Sequence, residues 1–442
     1  MINITDKHNC CGCGACANRC PKQCITMQED KEGFLYPQVF ISDCIDCGLC
    51  EKVCHELHPF EEYFPTKVLA AINKKEEVRL ASSSGGIFSL LAEKFIREGG
   101  VVFGANFDDN WQVKLGYTEF KDGISKFRGS KYVQARTDTA YSDCERFLKE
   151  NRFVLFSGTP CQIAGLKHFL RKEYDNLLTV DFVCHGTPSP KVWKRYLDET
   201  IDAINRQIQS VRFRDKKDEG WKKFRLALEF ENEGDTFIVS VPNSENAYMR
   251  AFLSNLDLRP SCHDCKAKSG RSGSDITLGD FWGVQNYYPE IDDNKGTSLV
   301  MIHTPKGEEV LDMGDIDFIE SNYEIAIEHN PAIKASVAPH RNREKFFFEL
   351  EGSSSIQKLV TDKLNPTLSS RFRTLPSRLK VLVYNILKSL LGGVKNNEYS
   401  SSHIDAGFIP NNLIKIDNIA DINFRYKKDG WRQYKTKITL KR

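Results

Sequence analysis

The stretch "CCGCGACANRCP", residues 10–21, and its near repeat "CIDCGLCEKVCH", residues 44–55, decide how the amino-terminal part of this chain folds. Cys10, Cys13, Cys16 and Cys20 follow C-x2-C-x2-C-x3-C spacing closed by Pro21, and Cys44, Cys47, Cys50 and Cys54 repeat it with His55 in the place of the proline. The tight loop brings three thiols of each run around one centre, and the small residues Gly12, Gly14 and Ala15 leave backbone N–H groups room to approach the sulfurs. Ten of the fifteen cysteines fall within the first 54 residues of a 442-residue chain. The amino terminus, "MINITDKHNC", lacks a basic region followed by an apolar stretch, so no signal peptide is expected. In a large chain of a reducing compartment, such cysteines point to metal and not to disulfides.

The doubled spacing is that of bacterial two-cluster ferredoxins, in which the fourth cysteine of each run ligates the other run's cluster. One [4Fe–4S] cluster is then expected on Cys10, Cys13, Cys16 and Cys54, and the other on Cys44, Cys47, Cys50 and Cys20. Zinc modules use pairs of C-x2-C, not two runs of four. Cys11 and Cys24 lie outside the pattern and read as packing or bystander thiols. Composition is that of an ordinary globular protein, 40% hydrophobic and 28% charged, and the net charge of +2 gives no argument for nucleic acid. No run reaches the ~20 apolar residues of a spanning helix, so a soluble, cytoplasmic protein is expected.

After the connector "HPFEEYFP" (58–65) the pattern becomes α/β. Strands are expected at "KVLAAI", "VVFGANF", "RFVLFS" and "LLTVDFV", alternating with helices at "GGIFSLLAEKFIREGG", 139–150, 160–171 and 189–204. Three strands within 207–241 are expected to extend the same sheet with antiparallel members, and others are placed at 275–279 and 298–302. The class is therefore a small α+β ferredoxin domain followed by an α/β body with a mixed sheet. Neither G-x-G-x-x-G after a strand nor G-x4-G-K-[ST] is present. "LASSSGGIF" (80–88) before a helix is a candidate phosphate cradle, or an ordinary serine cap with a flexible approach. "FRGSKYVQA" (127–135) offers Lys131 for the pyrimidine edge of a flavin, or is a solvated turn.

Five cysteines remain. Cys144, within a helical run, reads as a small core residue. Cys161 opens a helix just past one strand, and Cys184 follows the next. If those strands are parallel neighbours, both emerge at the carboxyl edge where α/β proteins place their sites. Cys262 and Cys265 add a C-x2-C pair. Three readings stand: a third [4Fe–4S] cluster, a structural zinc site, or a catalytic Cys161–His185 pair that leaves Cys262 and Cys265 unexplained.

The ferredoxin run, "SSSGGIFSLL", "RGSKYVQA", "GTPCQIAGL", "DFVCHGTPSP", the C-x2-C pair and "DITLGDFWG" follow one another in this order. Together they resemble the beta-subunit family of coenzyme F420-reducing hydrogenase over about residues 1–350, in a branch with a fused ferredoxin domain. The resemblance implies FAD in the body with contacts from Ser83, Ser84, Gly85, Gly86, Lys131 and Tyr132. It implies a third cluster on Cys161, Cys184, Cys262 and Cys265. The expected activity is that of an oxidoreductase passing electrons between the clusters and FAD, to or from a small-molecule substrate or a deazaflavin- or flavin-type carrier. The external donor would be a ferredoxin or a reduced deazaflavin or flavin, and some members are associated with polysaccharide biosynthesis. His185 and Asp280 are candidates for proton delivery. The rival class is an electron-transfer adaptor feeding a separate enzyme, and a third is a non-redox zinc protein with a vestigial ferredoxin.

The expected domains are 1–60 (ferredoxin), 61–350 (the body, in parts of about 61–150 and 151–350) and 351–442. Residues 352–442 hold 17 Lys and Arg against 6 Asp and Glu. Within them, 378–393 form a basic amphipathic helix suited to docking on the body or a partner, or to an anionic membrane surface. A hairpin is expected around Lys428–Gly430.

Overall fold

In the computed structural model the described residues are 1–365 except 233 and 312. The expected helix at 378–393 and the hairpin around Lys428–Gly430 lie outside them. The described residues fall in one compact unit. No helix among the described residues is long and apolar enough to cross a membrane.

The amino-terminal segment contributes an antiparallel hairpin, β1 (Ile25–Glu29) with β2 (Leu35–Val39), between the two cysteine runs. The body is built on an eight-stranded sheet of β3 (Lys67–Asn73), β4 (Val101–Phe107), β5 (Val113–Thr118), β6 (Val154–Ser157), β7 (Leu177–Phe182), β11 (Ile276–Asp280), β12 (Ser298–Ile302) and β13 (Ile316–Ser321). Their order is β13-β3-β12-β11-β7-β6-β4-β5. The central four, β11, β7, β6 and β4, are parallel, and antiparallel strands flank them on both sides. The mixed sheet is thus present, but its antiparallel members are not the expected ones.

Residues 208–242 instead make a separate antiparallel sheet, in which β8 (Ile208–Asp215) and β10 (Asp235–Pro242) flank β9 (Arg225–Asn232). The reason lies in its apolar face. Phe213, Leu226, Leu228 and Phe230 pack with Trp193 and Tyr196 of the helix Pro190–Ile204, so this sheet closes its own core. Edge strands β5 and β13, short and interrupted by charge, were not expected from the sequence.

Side-chain alternation sorts the main sheet's two faces. Val101, Phe103, Val154 and Phe156 face the helices Ala140–Lys149 and Pro160–Leu170. Val102, Leu155, Leu178 and Val180 face the helix Ile87–Arg97. The first core also contains Ala15 and Val53 of the cysteine runs, with Cys13 packed against it. Phe34, at the turn between β1 and β2, is buried in the core around Trp193. Cys144 is fully buried among the residues of the first core. Glu32 pairs with the buried Arg343, so the cysteine module and the body share packing and charge. The helix Ile356–Leu364 continues the core around Trp193 past the expected boundary at 350/351.

Candidate metal centres

Cys10, Cys13, Cys16 and Cys54 converge in the amino-terminal segment. Cys16 is pushed well above the ordinary thiol value by burial first and then by Cys13, Cys10 and Cys54. Burial, then Cys13 and Cys10, push Cys54 to about 12. Backbone N–H groups are already turned toward these sulfurs, from Gly12 to Cys10, Ala17 to Cys16, and Glu56 and Leu57 to Cys54. Such bonds stabilise the thiolates a cluster requires. Gly12 has φ +73°, and a Cβ there would lie 2.6 Å from Gln134 Nε2 and 2.9 Å from Arg259 Nη1. Only glycine fits that approach.

Cys20, Cys44, Cys47 and Cys50 line a small cavity of about 20 Å³ together with Cys24 and Met1. Cys50 Sγ accepts from Ile2 N at 3.3 Å, and Cys44 Sγ from Asp46 N at 3.4 Å. Cys24 Sγ stands 3.4 Å from Cys20 Sγ. Cys47 is exposed.

The third set grows from the sheet edge. β6 and β7 are adjacent and parallel. After β6, Thr159 caps the helix Pro160–Leu170: its side chain accepts from Gln162 N, Gln162 Oε1 accepts from Thr159 N at 3.0 Å, and Pro160 occupies the first turn. This box fixes Cys161 at the helix start. Cys184 follows β7, and Cys262 and Cys265 come from the turn Pro260–Asp264 and its end. Cys184 and Cys262 come close at Gly186, where a Cβ would lie 3.4 Å from Cys262 Cβ, and Cys184, raised first by burial, is raised further by Cys262, Cys161 and Cys265. Thr187 N donates to Cys262 Sγ at 3.3 Å. Cys161 is brought down to about 7 by a hydrogen bond with Cys11 and by Thr159 and Arg259, against burial.

Three neighbours were missed in the sequence. Arg259, 1% exposed, donates to the carbonyls of Cys10 and Leu35 and to Gln134. Its cation acts on Cys10, Cys11 and Cys262, members of both parts of the chain. Lys268 Nζ donates to the carbonyls of Cys184 and Ala332 at 2.6 and 2.5 Å, placing a cation beside the third set. Cys11, expected to be a bystander, stands 2.9 Å from His55 Nε2, and the sulfurs of Cys11 and Cys13 and a His55 ring nitrogen lie within 4.8 Å of one another. No spacing rule marks these residues. The only signal was His55 in place of a proline.

The flavin candidates form a less open site than expected. Ser83 Oγ lies 2.8 Å from Ser130 Oγ and accepts from Ser130 N, which joins the two loops. Ser84 Oγ donates to Thr297 O, and Gly85 N donates to Ser298 Oγ. The serine hydroxyls expected to be free for phosphate are therefore spent on the protein. Gly86 caps the helix Ile87–Arg97 in the left-handed region. Lys131 Nζ donates to the carbonyls of Arg128 and Gly129, and burial lowers it to about 7. Lys131 is half-buried and its Nζ also stands 5.8 Å over the Phe107 ring; no carboxylate pairs with it among the described residues, which fits an anionic ligand edge. Tyr132 turns into the core, stacked on Phe252 at 4.7 Å, with its hydroxyl accepting from Arg214.

Asp280 ends β11 at the same sheet edge, but Arg214 grips both of its oxygens at 2.6 and 3.2 Å, and Trp221 Nε1 donates at 2.7 Å. His185 Nε2 bonds Asn255 Oδ1 at 2.7 Å, its ring packs edge-on to Phe252, and burial lowers its pKa.

Comparison with known proteins gives two family matches. Residues 9–56 match a 4Fe-4S dicluster domain. Residues 151–322 match the family described as the carboxyl terminus of the beta subunit of coenzyme F420 hydrogenase/dehydrogenase. The second match spans Cys161, Cys184, Cys262 and Cys265; the loops 83–86 and 129–132 lie outside it. A solved structure of the F420-reducing [NiFe] hydrogenase complex from Methanosarcina barkeri aligns with 18% identity and a TM-score of 0.40, covering 69% of this chain and 90% of that one. No curated protein matches.

Proposed function

The chain carries, behind a 4Fe–4S dicluster domain, the carboxyl-terminal domain found in the beta subunit of the coenzyme F420 hydrogenase/dehydrogenase family, and on that premise we propose that it is an iron–sulfur flavoprotein oxidoreductase. Cys10, Cys13, Cys16 and Cys54 hold one [4Fe–4S] cluster, Cys20, Cys44, Cys47 and Cys50 a second, and Cys161, Cys184, Cys262 and Cys265 a third. FAD would be held by the loops 83–86 and 129–132, where Lys131 would supply a cation for the reduced, anionic flavin. Clusters move single electrons, and a flavin collects them into pairs for a substrate or carrier. The chain's own part is to aim backbone N–H groups at the sulfurs and to place the Arg259 and Lys268 cations beside them, against the burial that favours the thiol form. His185 has a ring nitrogen beyond its bond to Asn255 for moving a proton at this edge. Asp280 acts by fixing Arg214 and Trp221.

The observation that supports this reading is the convergence of three cysteine tetrads in one compact unit, with Cys13 packed against the helix Pro160–Leu170 that carries Cys161, where a Cβ on Gly165 would lie 2.9 Å from Cys13 Sγ. The substrate is a small molecule or a flavin-type carrier, and an external ferredoxin or reduced flavin is the donor. An adaptor without a flavin is the second reading, favoured by the satisfied hydroxyls of Ser83 and Ser84. Anaerobic analysis tests both. About twelve irons per chain and released FAD fit the first reading, about twelve irons without flavin the adaptor, and about eight irons with one zinc refute both. Cys161→Ala is expected to lose about four irons, and Lys131→Met to lose flavin with iron unchanged.

A further inference from the structure

The small sheet of β8, β9 and β10 ends in an open edge. β10 pairs with β9 over all eight of its residues without a shift of register, and the irregularities of this sheet fall between β8 and β9. Among the described residues no strand lies on the other side of β10. Two bonds fix which main-chain groups face outward, for Asn243 N donates to Phe224 O and Glu231 N donates to Gln207 O. Main-chain groups alternate in direction along a strand. Phe237, Val239 and Val241 therefore bond into β9, while Thr236, Ile238 and Ser240 turn their groups outward. Two of the outward groups are already held within the chain: Thr236 N donates to Asp235 Oδ1 at 2.8 Å, and Arg225 Nη2 donates to Ser240 O at 2.8 Å. Thr236 O, Ser240 N and both groups of Ile238 face outward with no strand to meet.

The side chains follow the same alternation. Phe237 and Val239 stand opposite Phe230 and Leu228, which are buried in the core around Trp193. Phe237 stacks on Phe230 at 5.5 Å and is still 37% exposed. Ile238, on the other face, is 47% exposed. Natural edge strands are blunted by charge, proline or a bulge. In "DTFIVSVP" (235–242) the only charge and the only proline are the two end residues, so the middle of β10 carries none of these devices.

We propose that β10 pairs antiparallel with β10 of a second copy of this chain, about a two-fold axis at Ile238. A two-fold interface must be self-complementary, and this register is. Ile238 N and O of one copy meet Ile238 O and N of the other, and Ser240 N of each meets Thr236 O of the other. The two groups already held within the chain, Thr236 N and Ser240 O, fall opposite one another, so no main-chain group is left stranded. Ile238 faces Ile238 on one side of the sheet, and Phe237 faces Val239 on the other, apolar pairs of the kind that stabilise neighbouring strands. The buried face of both sheets then runs on through six strands, three from each copy. The open groups and the held groups match because the strand meets itself, which is why the occupant is a second copy. One strand pair is a small interface, so the dimer is a dissociable one.

The test uses the full chain, prepared anaerobically and followed by sedimentation velocity over about 1–100 µM. Wild type is compared with Ile238→Lys, Ile238→Glu, an equal mixture of those two variants, and Phe318→Lys. Wild type is expected to pass from monomer toward dimer as concentration rises. Ile238→Lys sets two ammonium groups against each other across the axis and is expected to weaken association by about tenfold, and Ile238→Glu does the same with two carboxylates. The mixture sets Lys against Glu and is expected to recover the dimer, which variants that failed to fold could not do. Phe318 lies on β13, at the edge of the eight-stranded sheet, and Phe318→Lys is expected to dimerise as wild type does. A wild type that stays monomeric over the whole range overturns the proposal. A dimer that survives in Ile238→Lys overturns it as well, and so does a mixture no more dimeric than its parts. Loss of the dimer in Phe318→Lys would place the contact at the other sheet and overturn it too.

Discussion

Replacing Gly165 by alanine sets two effects of opposite sign against each other. In a helix interior, alanine is favoured over glycine by about 1 kcal/mol, and Gly165 sits in the middle of Pro160–Leu170. The added Cβ, however, would stand 2.9 Å from Cys13 Sγ, 3.0 Å from Cys13 Cβ and 3.0 Å from Tyr141 Oη. Comfortable contacts between such atoms begin at about 3.5 Å, so Cys13 must retreat by roughly 0.5 Å or more. A metal–ligand distance tolerates about 0.2 Å. Tyr141 has little room to yield, being fully buried and donating to Gln162 O at 2.7 Å. Overpacking of this kind costs about 1–3 kcal/mol, which outweighs the propensity gain. Gly165→Ala is therefore expected to lose about four irons and to unfold at lower denaturant than wild type. Anaerobic iron analysis and urea titration of the two proteins side by side provide the check. A variant with full iron and raised stability would show that the helix does not press on Cys13, and would refute the contact as the reason for glycine at this position.

Asp257 is fully buried, neither carboxylate oxygen has a hydrogen-bond partner among the described residues, and burial pushes its pKa up to about 7. The folded state thus keeps a proton that the unfolded chain releases near pH 4, so stability from this group is present in acid and is lost as pH rises toward 7. Asp257→Asn is expected to flatten that slope and to exceed wild type at pH 8, the gap narrowing as pH falls and closing only near pH 4, in urea midpoints taken at each pH. Thr159→Ala removes the cap that sets Cys161 and is expected to cost about 1 kcal/mol, measured by the same titration. Glu32→Ala leaves the Arg343 guanidinium buried without its carboxylate and is expected to cost about 1–3 kcal/mol; no loss would mean that the pair does not tie the cysteine module to the body.

The parts of the candidate site legible in the sequence were those carried by spacing. Cysteines two and three residues apart in a tight loop cannot avoid one another, and strand-to-helix junctions after β6 and β7 put Cys161 and Cys184 at one edge once those strands pair in parallel. Residues that act across long separations left no such mark. Arg259 and Lys268 sit in a charged loop where most lysines and arginines face water, and only the fold shows that Arg259 reaches Cys10 O and Lys268 reaches Cys184 O. The sheet of β8, β9 and β10 was recognisable as strands but not as a separate sheet. Pairing within a hairpin is local, whereas the choice of which core to cover depends on Trp193 and Tyr196. The serine loop shows the opposite error, for its composition suggests free donors while Ser130, Thr297 and Ser298 use them up.

The same contrast bears on Cys161. A cysteine at a helix start with a pKa near 7 has the electrostatics of a nucleophile. A nucleophile also needs an open approach and a base. Cys161 instead stands 3.2 Å from Thr159 Oγ1 and shares its surroundings with Cys184, Cys262 and Cys265. His185, the nearest base in sequence, is turned to Asn255 and Phe252. The helix terminus and the Arg259 cation that would activate a thiolate for attack serve equally to stabilise one bound to iron, because both roles require the deprotonated sulfur. Electrostatics alone therefore does not separate them; the company of the sulfur does. Four thiolates brought together repel each other unless a cation stands among them, and that repulsion makes the ligand role the one the arrangement favours.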